Sequence, residues 1–371
     1  MVWRTRRLHN LAHGNTYAPQ YDPDMRLHRA GVAAAAAVLS LCVGCSVNSA
    51  ATPAPGHVVG NTTGPYRLIQ EPDAGYAPIT DMIGAATHSV RLVYELNDDA
   101  VVQALIAAQR QRHVKVQVLL DAAFHGRQTN QTAYTNLHDA GIDVTWAPSD
   151  TIYHEKVLVI DDTSAVVGTG NLVRKYYRSS RDAFVVTTSP ADVDPIRATF
   201  DDDYGALRSP THSATPATPG QRLVWSPAGR GPFVDQIAAA TTSLDITTEE
   251  LKDAAILTAI THTARRGVAC RIVLTEDPAW NQAINQVSAA GCSVHLLPRS
   301  GAPLYMHEKL LLTDHNSLII GSHNLSTASL RDNRELSLHL DQSCAPDVLA
   351  AIATTFEHDY QQAAPAPSSE R

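Results

Sequence analysis

The chain has 371 residues, 44% of them hydrophobic, and a formal net charge of −8. That length exceeds one ordinary domain and suits two of about 150 residues, while the composition excludes collagen, coiled coil and wholesale disorder. Residues 1–45 carry five Arg against two Asp, or +3, which leaves −11 for residues 46–371. So acidic a body argues against a general polyanion binder and leaves only local basic patches open.

Residues 1–24 read as a leader without apolar periodicity. From Met25 the pattern is that of an export signal: Arg26 and Arg29, an apolar run from Ala30 to Leu41, then Val43-Gly44-Cys45. The run is too short for a comfortable transmembrane helix. Cys45 after Gly44 resembles the lipidated residue of a bacterial lipoprotein signal, with Cys42 where a Leu is usual; plain secretion with cleavage near Ala50 or Ala51 is the other reading. Either route predicts an exported protein, lipid-anchored to the outer face of a membrane or secreted. Residues 46–65, rich in Ala, Thr, Pro and Gly, predict a flexible spacer.

From residue 66 strand and helix signals alternate. Strands are predicted at 66–70, 89–95, 114–120 and 142–146, with helices over 77–86, 98–111 and 129–140 between them. A strand with His154 at its start, further strands at 165–168 and 183–188, and a helix over 192–204 complete a first unit, 66–207. Residues 208–221 hold three Pro and predict a linker. Residues 222–361 then repeat the order, and 362–371 read as a polar tail. The repetition extends to residues: A-T-H-S-V-R-L at 86–92 against A-T-T-S-L-D-I at 240–246, and T-F-D-D-D-Y at 199–204 against T-F-E-H-D-Y at 355–360. A repeat of this size means duplication: two α/β units, expected to have mostly parallel sheets and to pack as a pseudo-twofold pair. With both halves in one chain, a monomer is expected. Cys270 and Cys292 fall in consecutive predicted strands and read either as a disulfide of an exported protein or as two small buried thiols; Cys344 is left over.

Two stretches share one pattern. His154-Glu155-Lys156, four residues, Asp161, six residues, Gly168-Thr169-Gly170-Asn171 is the first; His307-Glu308-Lys309, Asp314 and Gly321-Ser322-His323-Asn324 are the second, at equal spacings. In an extended chain side chains two apart share a face. His154 and Lys156 therefore point one way and Glu155 the other, as do His307, Lys309 and Glu308. Facing halves would offer two imidazoles as nucleophile and acid, with two ammoniums and two amides to hold an anion. A lone H-x-K carries no such meaning; two copies in register with a repeat do.

These motifs resemble the HKD motif of the phospholipase D superfamily, H-x-K, four residues, D, six residues, G-[GS]-x-N, with Thr169 as a mild departure. The resemblance covers roughly residues 66–361. It implies an enzyme in which His154 attacks phosphorus to give a phosphohistidine, and His307 protonates the leaving alkoxide and then deprotonates water or an alcohol. Lys156, Lys309, Asn171 and Asn324 would hold the non-bridging oxygens. An acid near the next strand orients an imidazole in the family. Asp182 and Glu335, each 28 residues after a motif histidine, fill that place, Asp182 being one methylene shorter than the family's usual Glu. Asp161 and Asp314 read as structural. Thr169, Ser322, Arg174 and Lys175 are candidate substrate-binding groups, the last two in the basic stretch 174–178, with Arg181 close by, that follows motif one; a solvated loop is the plainer reading of that stretch. No metal and no cofactor is expected, because the lysines do the charge work.

The implied reaction is hydrolysis of a phospholipid head-group bond, with possible transfer to an alcohol, a lipid anchor placing the enzyme beside its substrate. The alternative is an exported metal-independent endonuclease acting on nucleic acid. A non-catalytic envelope binding protein fits least, since both sets of His, Lys and Asn are intact.

Overall fold

The computed structural model describes residues 64–124, 126–174, 178–208 and 216–367, all within one compact unit. Cys45, Lys175 and the predicted leader lie outside the described residues. The first half runs β1 (Tyr66–Glu71), α1 (Ala77–Ala85), β2 (Ser89–Tyr94), β3 (Leu96–Asn97), α2 (Asp99–Arg112), β4 (Lys115–Leu120), α3 (Gln131–Asp139), β5 (Asp143–Trp146), β6 (Val157–Ile160), β7 (Ser164–Gly168), β8 (Leu172–Val173), β9 (Ser180–Thr187) and α4 (Pro190–Ala206). The second repeats it: β10 (Leu223–Ser226), α5 (Arg230–Ala239), β11 (Ser243–Thr248), α6 (Ala254–Arg265), β12 (Ala269–Thr275), α7 (Asn281–Ala289), β13 (Ser293–Leu297), β14 (Tyr305–Met306), β15 (Leu310–Thr313), β16 (Ser317–Gly321), α8 (Thr327–Arg331), β17 (Glu335–Asp341) and α9 (Pro346–Gln362). A last strand, β18 (Ala364–Pro365), pairs with β13 at the start of what reads in sequence as a tail.

The sheets are mixed, which corrects the expectation of mostly parallel ones. The order β1-β9-β7-β6-β2-β4-β5 is mirrored by β10-β17-β16-β15-β11-β12-β13. Only β2-β4-β5 and β11-β12-β13 run parallel; the other neighbours along each path are antiparallel. The reason is connection length. Three residues join β6 to β7 and three join β15 to β16, enough for a hairpin and too few for a parallel crossover. Each hairpin turns on two left-handed residues, Asp161 and Asp162, then Asp314 and His315.

Alternation along these hairpins divides the core. Leu158 and Ile160 pack into the helix-covered core of the first half, with Leu105 and Leu137. Val157 and Val159 point the other way, into an apolar layer shared with Leu310, Leu312 and Ile320 of the second half. This common layer joins the halves as a pseudo-twofold pair. Two ion pairs cross between them symmetrically. Arg334 grips Asp203 of α4 with contacts of 2.7–2.9 Å, and Arg181 grips Asp359 of α9 at 2.6 and 2.9 Å, all four side chains being buried. Cys270 and Cys292 form a disulfide that ties the start of β12 to the residue before β13.

Candidate active site

Both H-E-K segments are extended lead-ins to β6 and β15, and each lies against the opposite half. His154 and Glu155 donate their backbone N–H to the Arg334 carbonyl at 2.9 and 3.0 Å, and Tyr153 forms a parallel bridge with Arg334. In the second half β14 pairs in parallel with the start of β9, and the His307 amide donates to the Arg181 carbonyl. The residue after Arg334 is Glu335, and the residue after Arg181 is Asp182. The fold thus delivers each carboxylate to the histidine of the other half, and not to the one 28 residues before it.

The geometry is tight. His154 Nδ1 lies 2.8 Å from Glu335 Oε2, and His307 Nδ1 lies 2.9 Å from Asp182 Oδ1, so the shorter aspartate still reaches. Glu335 Oε1 accepts from Ser329 Oγ at 2.7 Å and Asn333 Nδ2 at 3.0 Å. Asp182 Oδ1 also accepts from Thr169 Oγ1, and Oδ2 from Ser180 Oγ, each at 2.7 Å. Burial pushes both carboxyls up, but the facing imidazoles outweigh it and hold Asp182 below its ordinary value and Glu335 at about 2. With Nδ1 fixed by a carboxylate, each ring presents Nε2 for chemistry. Gly170 is what lets Asp182 in: a Cβ there would lie 2.6 Å from its carboxyl carbon.

Lys156 and Lys309 turn to the same side as their histidines. Lys156 Nζ donates to the His154 carbonyl at 2.6 Å, and Lys309 Nζ donates to the His307 carbonyl. Burial pushes the Lys156 ammonium down to about 8; Glu335 opposes this and the Lys309 charge adds to it, so the two lysines share one electrostatic site. Asn171 and Asn324 are buried, each with an unsatisfied side-chain oxygen. Glu155 and Glu308 do point away as expected, and burial raises both to about 8, so neither lends charge to the cleft at neutral pH.

Other sequence candidates fall elsewhere. Asp161 accepts from the backbone amides of His88 and Ser89 at 2.7 and 2.9 Å and from Thr87, and Asp314 does the same for Thr241, Thr242 and Ser243. Both pin the hairpin turn to the start of the central strand, the structural role expected. Thr169 and Ser322 are corrected from substrate-binding candidates to supports, because both are fully buried and their hydroxyls are spent inside the fold. Thr169 serves Asp182 and the Ala183 amide, and Ser322 accepts from the Leu336 amide at 3.0 Å. Arg181 is likewise a tie between halves rather than part of a basic patch. Arg174 is exposed, 4.0 Å from Asp99.

Two carboxylates were missed by motif reading. Glu95 and Glu249 stand just beyond β2 and β11, Glu95 accepting from Asn171 Nδ2 at 2.9 Å and Glu249 lying 3.2 Å from Lys309 Nζ. Both histidines act electrostatically on Glu249, whose carboxyl they and Lys309 hold low against burial. The repeat carried the signal, since Glu95 and Glu249 are aligned at the offset that relates 86–92 to 240–246. Phe124, 44% exposed, sets its ring 6.3 Å from that of His154. Among the described residues no group of three or more His, Cys, Asp or Glu side chains is arranged to hold a metal ion.

The chain belongs to the phospholipase D superfamily. The family model described as "Cardiolipin synthase, PLD-like domain" matches twice, over residues 79–204 and 233–360. The chain is 25% identical over 323 residues to cardiolipin synthase A of Pseudomonas putida, a match covering 75% of this chain and 66% of that protein. Among solved structures it resembles polyphosphate kinase from Porphyromonas gingivalis (TM-score 0.63, 16% identity, 80% of this chain and 47% of the other). It also resembles phosphatidylserine synthase from Haemophilus influenzae (TM-score 0.58, 13% identity, 78% and 84%). At those identities the structural matches speak for the fold alone.

Proposed function

We propose that the protein is a phospholipase D-type phosphodiesterase acting on a phospholipid head-group bond. The observation that carries this is the crossed pair His154–Glu335 and His307–Asp182, which fixes two imidazoles at Nδ1 beside two buried lysines. In the first step His154 Nε2 attacks phosphorus, forming a P–N bond as the P–O bond to the leaving group breaks, and His307 gives its Nε2 proton to the departing oxygen. In the second, water or an alcohol attacks phosphorus, its proton goes to His307 Nε2, and the P–N bond breaks. Lys156, Lys309, Asn171 and Asn324 hold the non-bridging oxygens and offset the charge that develops there.

The names of the relatives support lipid over nucleic acid, and so does the exposed Phe124 ring beside His154, an apolar contact for the non-polar part of a substrate. The loss of Arg181 from the basic stretch weakens the endonuclease reading. Export with lipidation at Cys45 is part of the proposal, and the Cys270–Cys292 disulfide supports an oxidising compartment; mass spectrometry of the membrane fraction should find acylated Cys45, and a soluble form starting near Ala51 would decide for plain secretion. The substrate test offers the full chain labelled phosphatidylcholine in mixed phospholipid vesicles, with and without an added alcohol, and plasmid DNA in parallel. Release or exchange of the head group is expected; cleavage of DNA with lipid untouched would replace this reading by the nuclease one.

A further inference from the structure

One group in the cleft has no place in the chemistry above. Glu249 Oε2 lies 3.4 Å from His307 Nε2 and 3.2 Å from Lys309 Nζ, while Oε1 accepts from the Tyr305 hydroxyl at 3.0 Å. Lys309 Nζ is one of the donors assigned above to a non-bridging oxygen and His307 Nε2 the donor to the departing oxygen, so Glu249 Oε2 sits where an oxygen of the phosphoryl group would be held. The side chain is 27% exposed while that of Lys309 is 2% exposed, so Glu249 stands on the solvent side of the lysine. Its repeat, Glu95, has Asn171 as its hydrogen-bond partner and leaves Lys156 to the His154 carbonyl. The two halves therefore use this carboxylate differently, Glu95 on an amide and Glu249 on an imidazole and an ammonium.

We propose that Glu249 is a carboxylate latch on the phosphoryl site: in the empty enzyme it occupies the place of a phosphoryl oxygen between His307 and Lys309, and an entering phosphate displaces it. The inference rests on the reading that this cleft takes a phosphodiester. The two buried ammoniums repel each other, and Glu249 adds to Glu335 and Glu95 in offsetting their charge while the site is empty. The same carboxylate opposes whatever anion arrives. Free phosphate, a mixture of mono- and dianion at neutral pH and largely a dianion above it, meets that charge at up to double strength and brings no further contacts. A diester meets it as a monoanion and adds the contacts of two ester groups. Glu249 thereby sets a preference for diesters over inorganic phosphate and phosphate monoesters, and spares the enzyme inhibition by free phosphate.

The test is calorimetric titration of the full chain with inorganic phosphate and, separately, with dimethyl phosphate. Glu249→Gln should bind inorganic phosphate about tenfold more tightly than wild type, the scale of one like charge removed from beside an anion, and gain less for the diester. Glu249→Asp, which keeps the charge on a shorter arm, should fall between and serves if the Gln variant does not fold. A merely structural role for Glu249 predicts weaker binding, so a Gln variant that binds phosphate no more tightly, or gains equally for both ligands, overturns the latch. Lys156→Met separates this from failure of the underlying reading: phosphate affinity unchanged by loss of Lys156 would mean that anions do not bind in this cleft, and both inferences would fall.

Discussion

Replacing Glu335 by Gln should cost far more than replacing Asp182 by Asn, although the two acids are related by the repeat. Glu335 Oε1 already receives two donors, Ser329 Oγ and Asn333 Nδ2, and Oε2 alone faces His154. An amide at this position must place its oxygen where both donors point, so its NH2 group turns to His154 Nδ1. The ring then keeps its proton on Nε2 and has no lone pair to attack with. The charge is lost as well: the His154 imidazole outweighs burial and holds the carboxyl well below its ordinary value, in its ionised form. At Asp182 the constraint is different. Oδ1 receives both Thr169 Oγ1 and His307, and Oδ2 meets only the Ser180 hydroxyl, which can rotate to accept from an NH2 group. Asp182→Asn therefore preserves the His307 tautomer and loses charge only. We expect Glu335→Gln to lower kcat/KM by about 10⁴, as when an amide imposes the wrong tautomer on a catalytic imidazole elsewhere, and Asp182→Asn by about tenfold, the loss of charge assistance in one hydrogen bond. The assay is release of nitrophenol from a p-nitrophenyl diester, with nitrogen NMR to read the His154 tautomer. Equal losses in the two variants, with an unchanged His154 tautomer in Glu335→Gln, would refute the argument.

Because burial holds the Lys156 ammonium at about 8, it is charged below that pH and neutral above, so kcat/KM should fall as pH rises through about 8; Lys156→Arg, always protonated, should remove that limb from the pH profile even if it lowers the plateau. Arg334→Met leaves Asp203 buried and unpaired and should destabilise the fold by about 3–5 kcal/mol in denaturant titration; a loss below about 1 kcal/mol would show that the cross-tie is dispensable. Changing Cys270 and Cys292 together to Ser, across a separation of 22 residues, should cost about 3 kcal/mol, and in the wild type both cysteines should resist alkylation until the protein is reduced.

Much of the site was legible because its residues are local in sequence. His154, Lys156, Asp161 and Asn171 sit within one motif, and the period of two assigned faces to His154, Glu155 and Lys156 without any tertiary knowledge. The duplication extended the same reading to His307, Lys309 and Asn324. What sequence could not supply was partnership across the halves. Asp182 and Glu335 were visible as acids at a fixed spacing, but their exchange follows from His154 lying against the Arg334 backbone and His307 against Arg181, contacts that depend on how two sheets pack. Arg181 read as part of a basic patch for the same reason, since Asp359 lies 178 residues away. The mixed sheets were half legible: three-residue links at 161–163 and 314–316 announce hairpins, but strand–helix alternation elsewhere masked them. Glu95 and Glu249 carry no motif, and only the repeat alignment, continued three residues past Leu92 and Ile246, reaches them.

The central claim is that two symmetric motifs do unequal work through a covalent intermediate on His154. It is tested most directly by mixing His307→Ala rapidly with a p-nitrophenyl diester, whose leaving group needs no protonation, and following nitrophenolate and intact mass together. One equivalent of nitrophenolate per enzyme is expected, with a phosphoryl adduct on the His154 peptide that decays slowly and no burst from His154→Ala. An adduct on His307 in His154→Ala, or no adduct on either histidine under any condition, would contradict it.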